Sequence, residues 1–309
     1  MGNVCKDVIY GTESYPTEDS KVKALSKEIR LGGNAGNIVQ ILPRLSDLTV
    51  DCCIKVGTCE YSACVEKEFK ACGVVKVYTV VQNDASLPES LIINANNTSS
   101  RTAVNYRGSC DDLNTDEVVS VVGNLERYHW VHLEHRRNGL EFLKLARTIK
   151  SLYPGIVLSI DIESIRDGFE DMLGVVDYPI VSKDVCRSLG YHNIHLALTN
   201  LSKHVRRTLI VTWAEHGAGV WLTDGTDKQT LTHPDKQHKV DNNIVICDAF
   251  HVENIIDSTG AGDSFSAGFI SAAMKYGPGN IPLCLLLSCK VAASKLRHQG
   301  MVIDKECVI

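Results

Sequence analysis

Between residues 128 and 213 the chain alternates short apolar runs with amphipathic stretches, and no other feature constrains the fold as much. Segments 128–134 (YHWVHLE), 156–162 (IVLSIDI), 177–181 (DYPIV) and 208–213 (TLIVTW) read as buried strands. Helical patterns lie between them, as in 140–152, where Leu140, Leu143, Ala146 and Ile149 fall on one stripe. Strands that are apolar throughout and separated by helices form a parallel sheet covered on both faces. The expected class is α/β.

Two regions depart from this rhythm. Segments 89–94 (ESLIIN) and 101–106 (RTAVNY) read as strands joined by 95–100 (ANNTSS), which is a hairpin rather than a crossover. Segments 7–11 and 20–31 offer further antiparallel strands. A parallel core with a small antiparallel appendage suggests a lid over a cleft. With no repeat, low-complexity stretch or linker, residues 1–309 are expected to form a single domain with lid strands within 8–31 and 89–107.

Composition excludes several functions. A net charge of −5, without a long Lys/Arg run, argues against a nucleic-acid or anionic-membrane partner. The 12 cysteines form no CxxC pair and the 11 histidines no HExxH, so no protein-built metal site is expected. No apolar stretch is long enough to span a membrane, and the thiols read as reduced and cytoplasmic. The opening Met-Gly-Asn-Val-Cys-Lys carries Lys6 where an acylation signal wants Ser or Thr, so no lipid anchor is expected.

The strongest motif is 257–269, DSTGAGDSFSAGF. Gly260, Ala261 and Gly262 allow a tight turn and a close approach to a ligand, and the apolar residues that follow have helical spacing. A helix that starts after such a loop presents converging backbone N–H groups to an anion. Asp263 stands at that helix start. It is either an ordinary N-cap or a base beside an anion hole, the pairing that phosphoryl transfer needs. A second motif, 32–37 (GGNAGN), precedes the amphipathic stretch 38–45. Gly33 lets the backbone approach a ligand, while Asn34 and Asn37 supply amides suited to hydroxyls. Pro43 is expected to kink the helix or end it early. No P-loop GxxxxGK[ST], HRD or DFG set occurs.

The 257–269 stretch closely resembles the C-terminal signature of the ribokinase-like (PfkB) carbohydrate kinases, and 32–37 resembles their N-terminal sugar-binding signature. Further stretches (SLPESLIIN, SSRTAVNY, WVHLEHRRN, VSKDVCRSLG, VTWAEHGAG) extend the resemblance from Asp7 to about Gly268, toward members acting on ketohexoses. The resemblance implies a three-layer α/β/α sandwich with a β lid. It also implies ATP-dependent phosphorylation of a ketohexose, fructose to fructose 1-phosphate, with Asp263 as general base and the 260–262 amides on the transferring group. Asp7, Asp19, Gly33, Asn34 and Asn37 would hold the sugar. Arg101, Ala214, Glu215, Gly217 and Gly260 would hold the nucleotide, whose Mg²⁺ rides on its phosphates. Glu134 would line the cleft or pair with Arg136 or Arg137. Lids of such kinases pack in pairs, which implies a homodimer.

Four departures from the pattern set further expectations. The family opens with an apolar strand ending in glycine, and Gly2 stands at that glycine, so a central strand is expected to be missing. Lys6 takes an apolar position beside Asp7, where it either holds Asp7 ionised or points elsewhere. Arg297 is expected to intrude on the adenine site. The connection 235–243 is longer and more polar than usual. These leave two alternatives: another PfkB sugar or nucleoside kinase, or a truncated, non-catalytic sugar-binding protein.

Overall fold

The alternating segments fold as that pattern requires. In the computed structural model, which describes residues 1–58, 61–98, 100–223, 232–233, 236–237, 239–241 and 243–309, the chain begins with β1 (Gly2–Asn3), β2 (Cys5–Thr12), β3 (Ser26–Gly32) and α1 (Asn34–Leu45). Next come β4 (Asp51–Gly57), α2 (Ser62–Ala71), β5 (Lys76–Gln82), β6 (Glu89–Ala95), β7 (Ser100–Tyr106) and α3 (Thr115–Val122). The middle contains β8 (Trp130–Glu134), α4 (Gly139–Leu152), β9 (Val157–Ile162), α5 (Phe169–Val175), β10 (Tyr178–Val181), α6 (Lys183–Ser188), α7 (Ile194–Leu201) and β11 (Thr208–Thr212). It continues with β12 (Ala218–Leu222), β13 (Thr232–His233), β14 (Lys236–Gln237), β15 (Lys239–Asp241), β16 (Ile244–Cys247), α8 (Ala261–Tyr276) and α9 (Ile281–Leu296).

Strands β8 to β11 pair in parallel, and the edge strands β12, β16 and β15 are antiparallel. On the other side, β5, β4 and β1 are parallel. Residues 1–3 join the two groups. Gly2 and Asn3 pair with Ile54 and Lys55. The Met1 ammonium donates to the His132 carbonyl at 2.7 Å, and the Glu134 amide donates to the Met1 carbonyl at 3.3 Å. The central strand expected to be missing is therefore present in short form.

Alternate strand residues feed two cores. Ile210 joins one that includes Ile38, Phe69, Phe269 and Leu285, from α1, α2, α8 and α9. Leu209 and Val211 join the other, with Val118, Phe142, Met172 and Leu198 from α3, α4, α5 and α7. This is the expected α/β/α sandwich. Pro43 lies inside α1, which continues to Leu45, so the helix does not stop at the proline. The proline still costs one bond, because it has no N–H to donate to the Val39 carbonyl one turn back.

The lid is a separate sheet, ordered β3-β2-β6-β7. Its outer pairs are antiparallel, as expected, but β2 and β6 are parallel. Both strands leave the carboxyl edge of the parallel core, where β1 and β5 end, and so run in one direction. Strand β3 runs over Ser26–Gly32, so of the 20–31 expected only 26–31 are strand; 21–24 have no regular structure. In the polar connection 235–243, the described segments Lys236–Gln237 and Lys239–Asp241 are the short strands β14 and β15, and residues 235, 238 and 242 lie outside those described. No described helix is long and apolar enough to cross a membrane.

Candidate active site

The two glycine motifs meet where the carboxyl ends of the core strands face the lid. Helix α1 begins after Gly33, whose φ is 89°; a β-carbon there would lie 2.7 Å from the Asn3 carbonyl. Only glycine fits, because the β1–β2 connection passes directly over the loop. At Gly32 a β-carbon would fall 2.2 Å from Asp7 Oδ2. The Asp7 carboxylate thus lies against the sugar-motif backbone. Asp7 is buried and accepts a hydrogen bond from Cys5 Sγ at 3.0 Å. Burial pushes its carboxyl above the ordinary carboxylate range, partly offset by the Cys5 and Ser90 hydrogen bonds and the charge of Arg30.

Helix α8 is buried nearly all round, so a carboxylate in its first turn is carried into the protein. Its N-cap is Gly260, with φ 78° and no side-chain capping bond. Asp263 does not cap the helix. It is 7% exposed and accepts from Asn37 Nδ2 at 2.7 Å. This bond ties the sugar motif to the Asp263 motif across 226 residues of sequence. Burial pushes the Asp263 carboxyl well above the ordinary range, and the Glu163, Asp161 and Glu134 charges push the same way, while the Asn37 hydrogen bond opposes them. Such a carboxyl is a stronger base than an exposed one.

The first-turn N–H groups of α8 have no intrahelical partners and no capping side chain. Around a β-carbon at Gly262 there is nothing within 4 Å, so the helix start is open on that side. An anion would meet converging amides there, with the Asp263 carboxylate beside them. Arg101 on β7 reaches the same loop and donates to Thr259 Oγ1 at 3.0 Å.

Other expected residues are placed as follows. Glu134 combines both of its readings: Oε1 accepts from Arg136 Nη1 at 2.8 Å, and Oε2 accepts the Ala35 amide at 3.5 Å, at the start of α1. Asn34 opens α1 beside Glu163, whose carboxyl burial pushes above the ordinary range and the Asn34 side chain pulls back. Ala214 (φ 47°), Glu215 and Gly217 (φ 83°) form the turn after β11, with Glu215 3.3 Å from Lys183. Asp19 lies in the exposed loop between β2 and β3 with φ 58° and is not brought to Asp7 or Asn37. Lys6 points to the opposite lid face from Asp7 and pairs with Glu89 at 3.0 Å. Arg297 pairs with Asp304, and chiefly that hydrogen bond lowers the Asp304 carboxyl to about 2.

Sequence reasoning overlooked Asp161, Glu163, Arg30 and Lys295. An acid inside the apolar run 156–162 was the available signal for Asp161, which accepts from Ser266 Oγ at 2.7 Å. No His, Cys, Asp or Glu cluster among the described residues is arranged to hold a metal ion.

The comparisons with known proteins fit this geometry. The profile of the pfkB family carbohydrate kinases matches residues 1–306. Mouse ketohexokinase is 29% identical over 97% of this chain and 96% of its own. Among solved structures, the ribokinase of Giardia lamblia superposes with a TM-score of 0.78 at 14% identity, covering 99% of this chain and 97% of its own. The Arabidopsis thaliana ribokinase complexed with ribose and ATP gives 0.76 at 15% identity, covering 99% and 95%. A parallel core under a β lid, with two glycine motifs meeting at a buried acid, and a profile matched from end to end lead to one conclusion: the chain belongs to the pfkB family of carbohydrate kinases.

Proposed function

We propose that this kinase transfers the γ-phosphoryl group of ATP to a primary hydroxyl of a ketohexose, the 1-hydroxyl of fructose. The observation that carries this reading is the 2.7 Å hydrogen bond from Asn37 to Asp263, which puts the sugar motif and the base in one cluster. The similarity to mouse ketohexokinase along almost the whole chain supports the choice of sugar.

Asp7, Gly33, Asn34 and Asn37 hold the sugar hydroxyls, with Asp19 joining them from the lid loop. Asp263 accepts the proton of the attacking hydroxyl. The amides of 260–262 face the oxygens of the transferring group, where fixed donors in a dry site stabilise developing charge. Arg101, Ala214, Glu215 and Gly217 contact the nucleotide, and its Mg²⁺ adds charge neutralisation at the phosphates. The absence of a disulfide among the described cysteines and the thiol-rich core fit a reducing cytoplasm.

The outer lid face supports pairing of two copies. Ile29 (48% exposed), Leu91 (38%) and Val104 (59%) share one register row across β3, β6 and β7. An apolar row of this kind on an open sheet face is a docking surface. Sedimentation of the wild type should give a dimer and Leu91→Glu a monomer.

Turnover of fructose, ribose and adenosine with ATP tests the activity. Fructose should be preferred, and Asp263→Ala should abolish turnover. Phosphorylation of adenosine alone would assign a nucleoside kinase. Fructose binding without turnover would leave a sugar-binding protein.

A further inference from the structure

A second charged centre lies beside the site, and proton transfer does not use it. Asp257 opens the loop that leads to Gly260, and its side chain is 1% exposed. Its Oδ2 accepts from Arg30 Nη1 at 2.7 Å and from the Gly300 amide at 3.0 Å, and Lys295 Nζ is 3.2 Å away. Its Oδ1 accepts the Thr259 amide at 2.9 Å. Lys295 on α9 is wholly buried and also donates to the Asp257 carbonyl at 2.7 Å and the His298 carbonyl at 3.3 Å.

One carboxylate thus joins four parts of the chain: lid strand β3, the anion-hole loop, helix α9 and the turn at Gly300. Burial alone would raise the Asp257 carboxyl. The Arg30 hydrogen bond, the Lys295 charge and the Thr259 amide outweigh it and hold the group ionised far below the ordinary range. Removing one member of a buried set like this leaves an uncompensated charge, so the set holds its geometry as a unit. Arg30 also lies two residues before Gly32 on β3, on the same lid face as Asp7, its register partner. A shift of β3 would therefore move the sugar motif and the Asp257 loop together.

We propose that Arg30, Asp257 and Lys295 form a clasp that fixes the anion-hole loop to the lid. Arg30 and Lys295 are positioning residues: they act on the transferring group only through the geometry of 258–262. Strand β3 then assembles the sugar half and the phosphate half of the site in one step. This role for the loop rests on the phosphoryl-transfer reading above, whereas the mechanical link does not.

Hydrogen exchange on the full-length, ligand-free protein tests the link without any substrate. Arg30→Met and Lys295→Met should each speed amide exchange within 258–264 by about tenfold or more, the scale expected for a broken buried charge pair. Lys27→Met, on the same strand but over the Tyr10 ring on the outer face, should leave it unchanged. If Arg30→Met fails to fold, Arg30→Lys keeps the charge, loses the forked donor and should give the same reading. Unchanged exchange in a folded Arg30 variant overturns the clasp.

In turnover, Arg30→Met should lower kcat and raise the share of ATP hydrolysed without sugar phosphorylation. Adding Asp257→Asn should cost little more, because both changes open one clasp; fully additive losses overturn the proposal. If the wild type phosphorylates no sugar, the functional reading fails, and the exchange experiment still decides the clasp.

Discussion

The loops at 32–37 and 257–263 look alike in sequence and are held in different ways. Each places a glycine with positive φ, Gly33 or Gly260, before a helix without a side-chain cap. The first loop is shaped by volume. Asn3, Val4 and Cys5 crowd Gly33, and Asp7 crowds Gly32. The second is shaped by charge. Arg30, Lys295 and the amides of Thr259 and Gly300 hold Asp257, while the space at Gly262 stays open. A sugar needs a fitted wall of fixed acceptors and donors, whereas a transferring phosphoryl group needs open amides on a firmly anchored backbone. The first loop should therefore fail when atoms are added, and the second when charges are removed.

The largest expected effect lies at Asp263, the proposed base, where the loops meet. Asp263→Asn should lower kcat by about 10²–10⁴-fold, the usual range for general-base removal. The same variant should melt at a higher temperature than wild type at pH 7.5. A carboxyl whose folded pKa lies above its unfolded value binds more protons in the folded state, so stability falls as pH rises through that window. The asparagine variant escapes this loss, and its advantage should vanish at pH below the ordinary carboxylate range. Equal melting temperatures at both pH values would contradict the buried-base assignment.

Next in size is Gly32→Ala, which places a methyl on the Asp7 carboxylate. It should reduce kcat/KM for the sugar by about 100-fold, the scale of an ångström-level misplacement, and weaken nucleotide affinity far less. Equal losses for both ligands would erase the contrast between the loops. Asn37→Ala removes the 2.7 Å side-chain hydrogen bond to Asp263 and should cost about tenfold in kcat at neutral pH. Because that bond favours the ionised base, its loss should move the acidic limb of the kcat–pH profile to higher pH, with partial recovery in alkali. A uniform loss with an unmoved limb would make Asn37 a sugar contact alone. The smallest effect belongs to Gly262→Ala. Denaturant titration should show about 0.5–1 kcal/mol of added stability, since alanine favours a helix and meets no neighbour here.

Much of this was legible in the sequence. The apolar runs became β8 to β11 because a strand buried on both faces needs apolar residues throughout, and that requirement is local. The α8 start was legible for the same kind of reason, as glycines followed by helical spacing have few other conformations. The parallel β2–β6 pair was not legible. Its direction depends on where β1 and β5 leave the core, and no local pattern records that. The fate of Arg297 was hidden too, since its partner Asp304 is an ordinary surface acid until the turn between them folds.

The sequence by itself determined an α/β kinase architecture and the two glycine loops, and it singled out Asp263 as the candidate base, because backbone freedom, hydrophobic period and motif context are properties of short stretches. Only the tertiary structure decided what surrounds that base. Asn37 meets Asp263 because α1 and α8 pack side by side, and burial within α8, with the carboxylates of Glu163, Asp161 and Glu134 nearby, raises its affinity for a proton. Arg30, Asp257 and Lys295, far apart in sequence, converge because a buried charge needs a partner and the fold supplies both partners from separate elements.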